Sequence, residues 1–328
     1  MADPTTNWTL ESLHTHLQDA IDLELWTLPL YICAWTSLTE RDSPEGNLIL
    51  SVIMQEMLHL ELASNLALAF GLQPQFNQPV YSAEAGIPFH TPDTEPPING
   101  PYTVQLGPLN ENALNLFLEI ELPKDLSADK GQGTKDPADT YDSIGEFYVA
   151  LQSGVNQLWN TYYQPDSVNL QKSDFSDYPD VPAGVPRSIQ TLDDANQAIA
   201  TIVDQGEGAD SKGGNVPTEF QPNDDPDDEY SHYERFLELK TLLPEIFTYT
   251  DDGNPATDEQ AALNQAFTKL LQDLTESFKT PNPPNQESGI VGDSFTQMNN
   301  IPDLATAVWQ AGACPEFCVV PLPPSSPQ

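Results

Sequence analysis

Two Glu-x-x-His pairs are the residues in this 328-residue chain best suited to chemistry. The first is Glu56 and His59, in Gln-Glu-Met-Leu-His-Leu-Glu from Gln55 to Glu61. The second is Glu229 and His232, in Glu-Tyr-Ser-His-Tyr-Glu-Arg-Phe. Side chains three apart on a helix leave the same face, so each pair presents a carboxylate and an imidazole together. Two such pairs, with one further glutamate from each of two other helices, make the ligand set of a dinuclear carboxylate bundle. This reading needs four helices and two more glutamates.

Apolar residues recur at helical spacing from about Leu10 to Leu38, and Glu24 lies among Leu23, Leu25, Trp26 and Leu28. A carboxylate in so apolar a setting needs a partner. Pro29 removes one backbone donor and is expected to bend this first helix. Ser43-Pro44 reads as an N-cap with proline at the first helical position, and Gly71 as the stop of the second helix. The short connection implies an antiparallel hairpin. At about 1.5 Å per residue, Glu24 and Glu56 then lie at nearly equal height, about 20 Å from the turn. They can face each other.

The proline-rich stretch 73–109 reads as a crossover loop, with room for short strands, that returns the chain to the opposite end of the bundle. Residues 110–122 read as a short helical or extended segment. Helical spacing from Tyr141 to Tyr163 marks the third helix, carrying Glu146. The span 164–228 is a long connection expected over one end of the bundle, with a helix around 192–203. A fourth helix is expected to start at Asp227 or Asp228 and stop near Pro244. The candidate metal set is therefore Glu24, Glu56, His59, Glu146, Glu229 and His232, with no catalytic residue beyond these ligands. Glu121 competes with Glu146 as the third-helix ligand; Glu61 and Glu234 are assigned to solvent or to supporting contacts. A third match, Glu11 and His14, is taken as surface, because the motif alone is a weak signal. The fold class expected is an all-α four-helix bundle in one elaborated domain. Its core spans about 8–250, extra C-terminal helices lie within 251–313 (258–278 and 301–311), and a proline-rich tail, disordered from Val319, fills 314–328.

Composition narrows the function. The net charge is −39, from 11 basic and 50 acidic residues, and such a chain is not a nucleic-acid binder, because phosphate contacts need Lys and Arg. No run of about 18 apolar residues is present to span a membrane. The N-terminus lacks the basic and apolar regions of a secretory signal. Three cysteines, Cys33, Cys314 and Cys318, are too few for a disulfide framework, which favours a cytoplasmic location; Cys314 and Cys318 read as a structural or disulfide pair.

Several segments resemble a known family: Ala20 to Glu24, Thr27 to Tyr31, Glu56 to Leu60, Asn65-Leu66, Ser143 to Tyr148 and Ser231 to Phe236. They look like the ferritin-like domain of the iminophenyl-pyruvate dimer synthase family, which includes parts of the imine-coupling enzymes of violacein and rebeccamycin biosynthesis. The resemblance covers roughly residues 10–250. It implies a ferritin-like bundle with the six ligands above at matching positions. The additional domains of the large pathway enzymes do not fit in this chain, so their coupling reaction is not carried over. The expectation is a metal-dependent oxidoreductase that acts on a small organic substrate with dioxygen or peroxide. Its cofactor would be two metal ions, iron first, with manganese, copper or zinc as alternatives. The alternative is a ferritin-like metal-binding or ferroxidase protein without an organic substrate, or a bundle whose site is structural or empty.

Overall fold

The computed structural model describes residues 7–88, 97–123, 141, 143–175, 184–207, 230–254, 258–282 and 294–322. Eight α-helices lie among them: α1 (Leu10–Thr36), α2 (Pro44–Ala69), α3 (Glu111–Ile120), α4 (Ile144–Tyr162), α5 (Leu192–Glu207), α6 (His232–Leu242), α7 (Asp258–Ser277) and α8 (Ser294–Gln310). Among the described residues there is no strand, only an isolated antiparallel bridge between Leu38 and Thr248. No described helix is long and apolar enough to cross a membrane.

The hairpin of α1 and α2 forms for local reasons legible in its ends. Thr9 and Ser12 make a reciprocal capping box at the head of α1. Ser43 accepts the Gly46 N–H at the head of α2, with Pro44 in the first turn. Pro29 lies inside α1, which continues to Thr36, so the missing N–H does not end the helix. Gly71, just past α2, has φ of 78°, the left-handed conformation that suits glycine after a helix end. Both helices are buried over most of their length, because further columns cover them on several sides.

The stretch after α2 crosses back along α1 as irregular chain. Gln18 holds the Gln75 backbone, Trp26 Nε1–H donates to the Val80 carbonyl at 3.0 Å, and Tyr81 donates its hydroxyl to the Trp26 carbonyl at 2.7 Å. The crossing ends where the Leu109 N–H meets Ser37 Oγ, at the exit of α1. Asn110 then caps α3.

The third and fourth columns are each built from two half-helices; the helix expected over 141–163 is α4, and the segment 110–122, read as helical or extended, is the helix α3. Helix α3 runs from the α1 exit to mid-height, and α4 continues to the far end, where Gln164 N–H donates to the Ala69 carbonyl at the end of α2. Helix α5 starts near that far end, with Asn196 bonded to Asn156 of α4, and descends to mid-height. Helix α6 completes the column, since Tyr249 and Phe247 beyond it pair with Ser37 and Thr39 just after α1. It begins at His232 rather than at 227 or 228; residues 221–229 lie outside the described residues.

At the far end, α4 packs closely on the start of α1. The buried His16 donates Nδ1–H to the Ser12 carbonyl and accepts the Tyr141 hydroxyl at Nε2, and its ring stacks on Phe147 at 5.7 Å. At the other end α7 and α8 pair, and α8 is tied to α1 by Trp309 Nε1–H to the Cys33 carbonyl at 3.1 Å. Helix α8 starts at Ser294, earlier than the expected 301. The tail expected to be disordered from Val319 is ordered as far as residue 322: Val319 N–H donates to Gln78 Oε1 and Val320 N–H to Thr268 Oγ1. Residues 323–328 lie outside the described residues.

The contact between α4 and the chain start is testable at Gly154. A Cβ there would sit 2.6 Å from the Trp8 ring. Gly154→Ala gains about 1 kcal/mol of helix propensity but incurs overpacking of about 1–3 kcal/mol, so a lower melting temperature is expected. Thermal unfolding checks it, and an unchanged or higher Tm would contradict the packing.

Candidate metal centre

Four helices bring side chains to one level. Glu24 lies 12 residues before the end of α1, Glu56 12 residues into α2, Glu121 just past the end of α3, and His232 at the head of α6. At 1.5 Å per residue each lies about 15–18 Å from the end where α1 leaves off and α3 begins. With His59, one turn further along α2, they form two buried groups: Glu24, Glu56 and His59, and Glu56, Glu121 and His232. Within each group the ligating atoms lie within 4.8 Å of one another. No member is more than 5% exposed. Glu56 belongs to both.

The geometry is close to two-fold. His59 Nδ1 is 3.5 Å from Glu24 Oε2 and 3.8 Å from Glu56 Oε1. His232 Nδ1 is 3.0 Å from Glu56 Oε1 and 3.4 Å from Glu121 Oε1. The two rings lie 5.5 Å apart, tilted by 27°. Each imidazole is aimed by a glutamine: His59 Nε2 meets Gln205 Oε1 of α5 at 2.9 Å, and His232 Nε2 meets Gln55 Oε1 of α2 at 2.9 Å. A glutamine oxygen only accepts, so both Nε2 atoms carry hydrogen and both Nδ1 atoms turn toward the carboxylates.

Each carboxylate is also held by a hydroxyl. Thr27 donates to Glu56 Oε2 at 2.5 Å, Tyr31 donates to Glu121 Oε1 at 2.6 Å, and Tyr148 of α4 donates to Glu24 Oε1. In Glu24 and Glu56 one oxygen is thereby occupied and the other faces an imidazole. Thr27 and Tyr31 lie three and seven residues after Glu24, on its own helix face, a spacing visible in the sequence. Tyr31 and Tyr148 stand among apolar residues in the sequence, where an aromatic side chain by itself signals no role. Gln205 carries no sequence signal, because only the fold brings α5 to α2.

Electrostatics at the centre call for protons or a cation among the carboxylates. Burial pushes the Glu56 carboxyl well above its ordinary range, and repulsion from Glu121 and Glu24 adds to it. Burial acts the same way on Glu121, but the charge and hydrogen bond of His232 and the Tyr31 hydroxyl outweigh it, so its net shift is downward. Burial lowers the His59 imidazole, yet Glu24 and Glu56 raise it overall. No lysine or arginine is paired with Glu56 or Glu121 among the described residues. His232 Nδ1 is buried and has no hydrogen-bond partner. A lone pair facing carboxylates at these distances is repelled unless a proton or a metal ion sits between them. Carboxylate oxygens with imidazole nitrogens are a donor set that transition metals accept, so the residues fit a metal.

Other expected residues fall elsewhere. Glu146 is half-buried on the first turn of α4, with its N–H on Ser143 Oγ, and joins neither group. Glu229 lies outside the described residues. Glu61 is buried and accepts the Phe175 N–H at 3.0 Å, while Glu234 closes a capping box with Ser231. Glu11 is exposed, and His14 donates to the Phe70 carbonyl at 2.9 Å.

A cavity of about 20 Å³ opens on the centre, walled by Ile144 and Gly145 of α4 and by Ile202, Val203 and Gly206 of α5. A Cβ at Gly206 would lie 3.1 Å from Glu121 Oε2, so glycine lets α5 close over the carboxylate. A larger depression of about 600 Å³, beside Leu10, His14 and Gln18, is open surface and contains none of the clustered residues.

The family described as Ferritin-like matches residues 17–241. Among solved structures, a ferritin like protein from Caulobacter vibrioides is 29% identical with a TM-score of 0.76, and the match covers 95% of this chain and 99% of that one. No curated protein matches the chain.

The raised Glu56 pKa has a definite sign. A carboxyl whose folded pKa lies above its unfolded value contributes stability fully present below the unfolded value of 4.5 and lost as pH rises through the raised folded value. Chelator-treated protein is therefore expected to lose melting temperature from pH 5 to pH 8 more steeply than its Glu56→Gln variant. Thermal unfolding across that range checks it, and parallel slopes would count against a destabilising charge at Glu56.

Proposed function

Because the chain belongs to the Ferritin-like family, we propose that its buried carboxylate and imidazole cluster binds two transition-metal ions and acts as an oxidoreductase with dioxygen or peroxide on a small organic substrate. The observation that carries this reading is the sharing of Glu56 by two buried groups, each completed by one further glutamate and one histidine. Glu24 and His59 would hold one ion and Glu121 and His232 the other, with Glu56 within reach of both. Glu229, three residues before His232 in sequence, is retained as a sixth ligand on spacing alone. Glu121, which belongs to one of the two buried groups, takes the third-column position in place of Glu146. Iron or manganese suits a carboxylate-rich set, and imidazole also admits copper or zinc.

A bound redox-active metal would supply the electrons that dioxygen or peroxide takes up. The residues around it supply the rest. Gln55 and Gln205 keep the hydrogen of each neutral imidazole on Nε2 and its Nδ1 pointed inward. Thr27, Tyr31 and Tyr148 orient the carboxylates through their hydroxyls. Ile144, Ile202 and Val203 form an apolar wall that limits water. The organic substrate is supported by the sequence resemblance to the ferritin-like domain of the imine-coupling enzymes, and would enter between α4 and α5.

A second reading rests on the cavity itself. At about 20 Å³ it has room for a water-sized molecule and not for an organic one without movement of α5. That favours dioxygen or peroxide meeting the metal alone, as in a ferroxidase.

Metal analysis of protein purified without chelator tests the proposal. Two ions per chain are expected, with most of the content lost in Glu56→Ala and Glu121→Ala and retained in Glu146→Ala. Equal metal in wild type and in the first two variants would refute the centre. Oxygen consumption with ferrous iron alone, then with aromatic amines added, separates the two readings: uptake that needs the amine supports the organic substrate.

A further inference from the structure

Cys33 and Cys314 are 281 residues apart in sequence, yet their Sγ atoms lie 3.9 Å apart. Cys33 is fully buried on α1, and Cys314 is half-buried in the segment that leaves α8. The two thiols share a small setting: the Pro315 carbonyl lies 4.0 Å from the Cys33 sulfur and 3.8 Å from the Cys314 sulfur, and Trp309 is bonded to the Cys33 carbonyl. Cys318, the partner that sequence proximity suggested for Cys314, instead has its sulfur 4.0 Å from a Glu316 carboxylate oxygen. Both cysteines of the closer pair are free thiols.

We propose that Cys33 and Cys314 form an oxidisable dithiol, whose disulfide fastens the C-terminal segment to the helix that carries Glu24. Closing the bond requires the sulfurs to approach from 3.9 Å to about 2.0 Å, a shift within reach of rotating the less buried Cys314 side chain. Hydrogen peroxide is the oxidant. It first transfers an oxygen atom to the accessible Cys314 sulfur, giving a sulfenic acid and one water. The Cys33 sulfur then attacks the Cys314 sulfur; the S–S bond forms, the S–O bond breaks, and the hydroxyl leaves with the Cys33 proton as a second water. Burial pushes the Cys33 thiol well above its ordinary range, so peroxide meets the more accessible Cys314 first.

The bond would restrict the unfolded chain through a loop of 281 residues while asking little of the folded one. Full-length protein is treated with hydrogen peroxide, alkylated, digested without reductant and mapped by mass spectrometry. The expected product joins the Cys33 and Cys314 peptides. The oxidised protein should melt about 5 °C above the dithiothreitol-reduced protein. That increment should vanish in Cys314→Ser and persist in Cys318→Ser, so a structural defect in one variant does not obscure the result. A Cys314 to Cys318 link, a link between chains, or Cys314 oxidised to sulfinic acid with Cys33 still alkylatable after denaturation would overturn the proposal.

Discussion

Three carboxylates buried against two imidazoles, with no basic side chain paired to the shared Glu56 among the described residues, are the constraint on which the rest of this bundle depends. Burying one such charge in an apolar core costs several kcal/mol unless it is compensated. Protons, or a metal ion held by these residues, would compensate it. The surrounding structure serves that arrangement: hydroxyls of Thr27, Tyr31 and Tyr148 hold the carboxylates, and Gln55 and Gln205 orient the rings.

That constraint also accounts for the broken columns. An uninterrupted third helix in register with α1 and α2 would carry a carboxylate past the centre on a rigid rod. Here α3 ends at Glu121, where the C-cap residue turns inward, and α4 begins again with Tyr148 donating to Glu24. The fourth column breaks at the same level, so that α5 delivers Gln205 and Gly206 while α6 opens with His232. A cavity of about 20 Å³ reaches the centre between α4 and α5.

Much of this was legible before any coordinates. Helical periodicity, the Ser43-Pro44 cap and the Gly71 stop located α1 and α2 within a few residues, because those signals are local. The matched heights of Glu24 and Glu56 followed from the short turn and the helical rise. Periodicity also locates the third helix, α4, and leaves Glu121 and Glu146 as rivals for its ligand. The strong periodicity over 141–163 belongs to a helix that packs on the far half of α1, while the ten-residue α3, too short to stand out from an extended segment, carries the carboxylate at ligand height.

By itself, then, the sequence determined the helical class, the hairpin, and Glu24, Glu56, His59 and His232 as the residues worth testing, since spacing along a helix dictates which side chains share a face. Only the tertiary structure groups Glu121 with Glu56 and His232, because that grouping depends on where a crossover loop sets down the next helix. It likewise brought Gln205 to His59 across 146 residues and Cys33 to Cys314 across 281. Contacts between distant segments are set by packing of whole columns, and no local pattern in the chain encodes them.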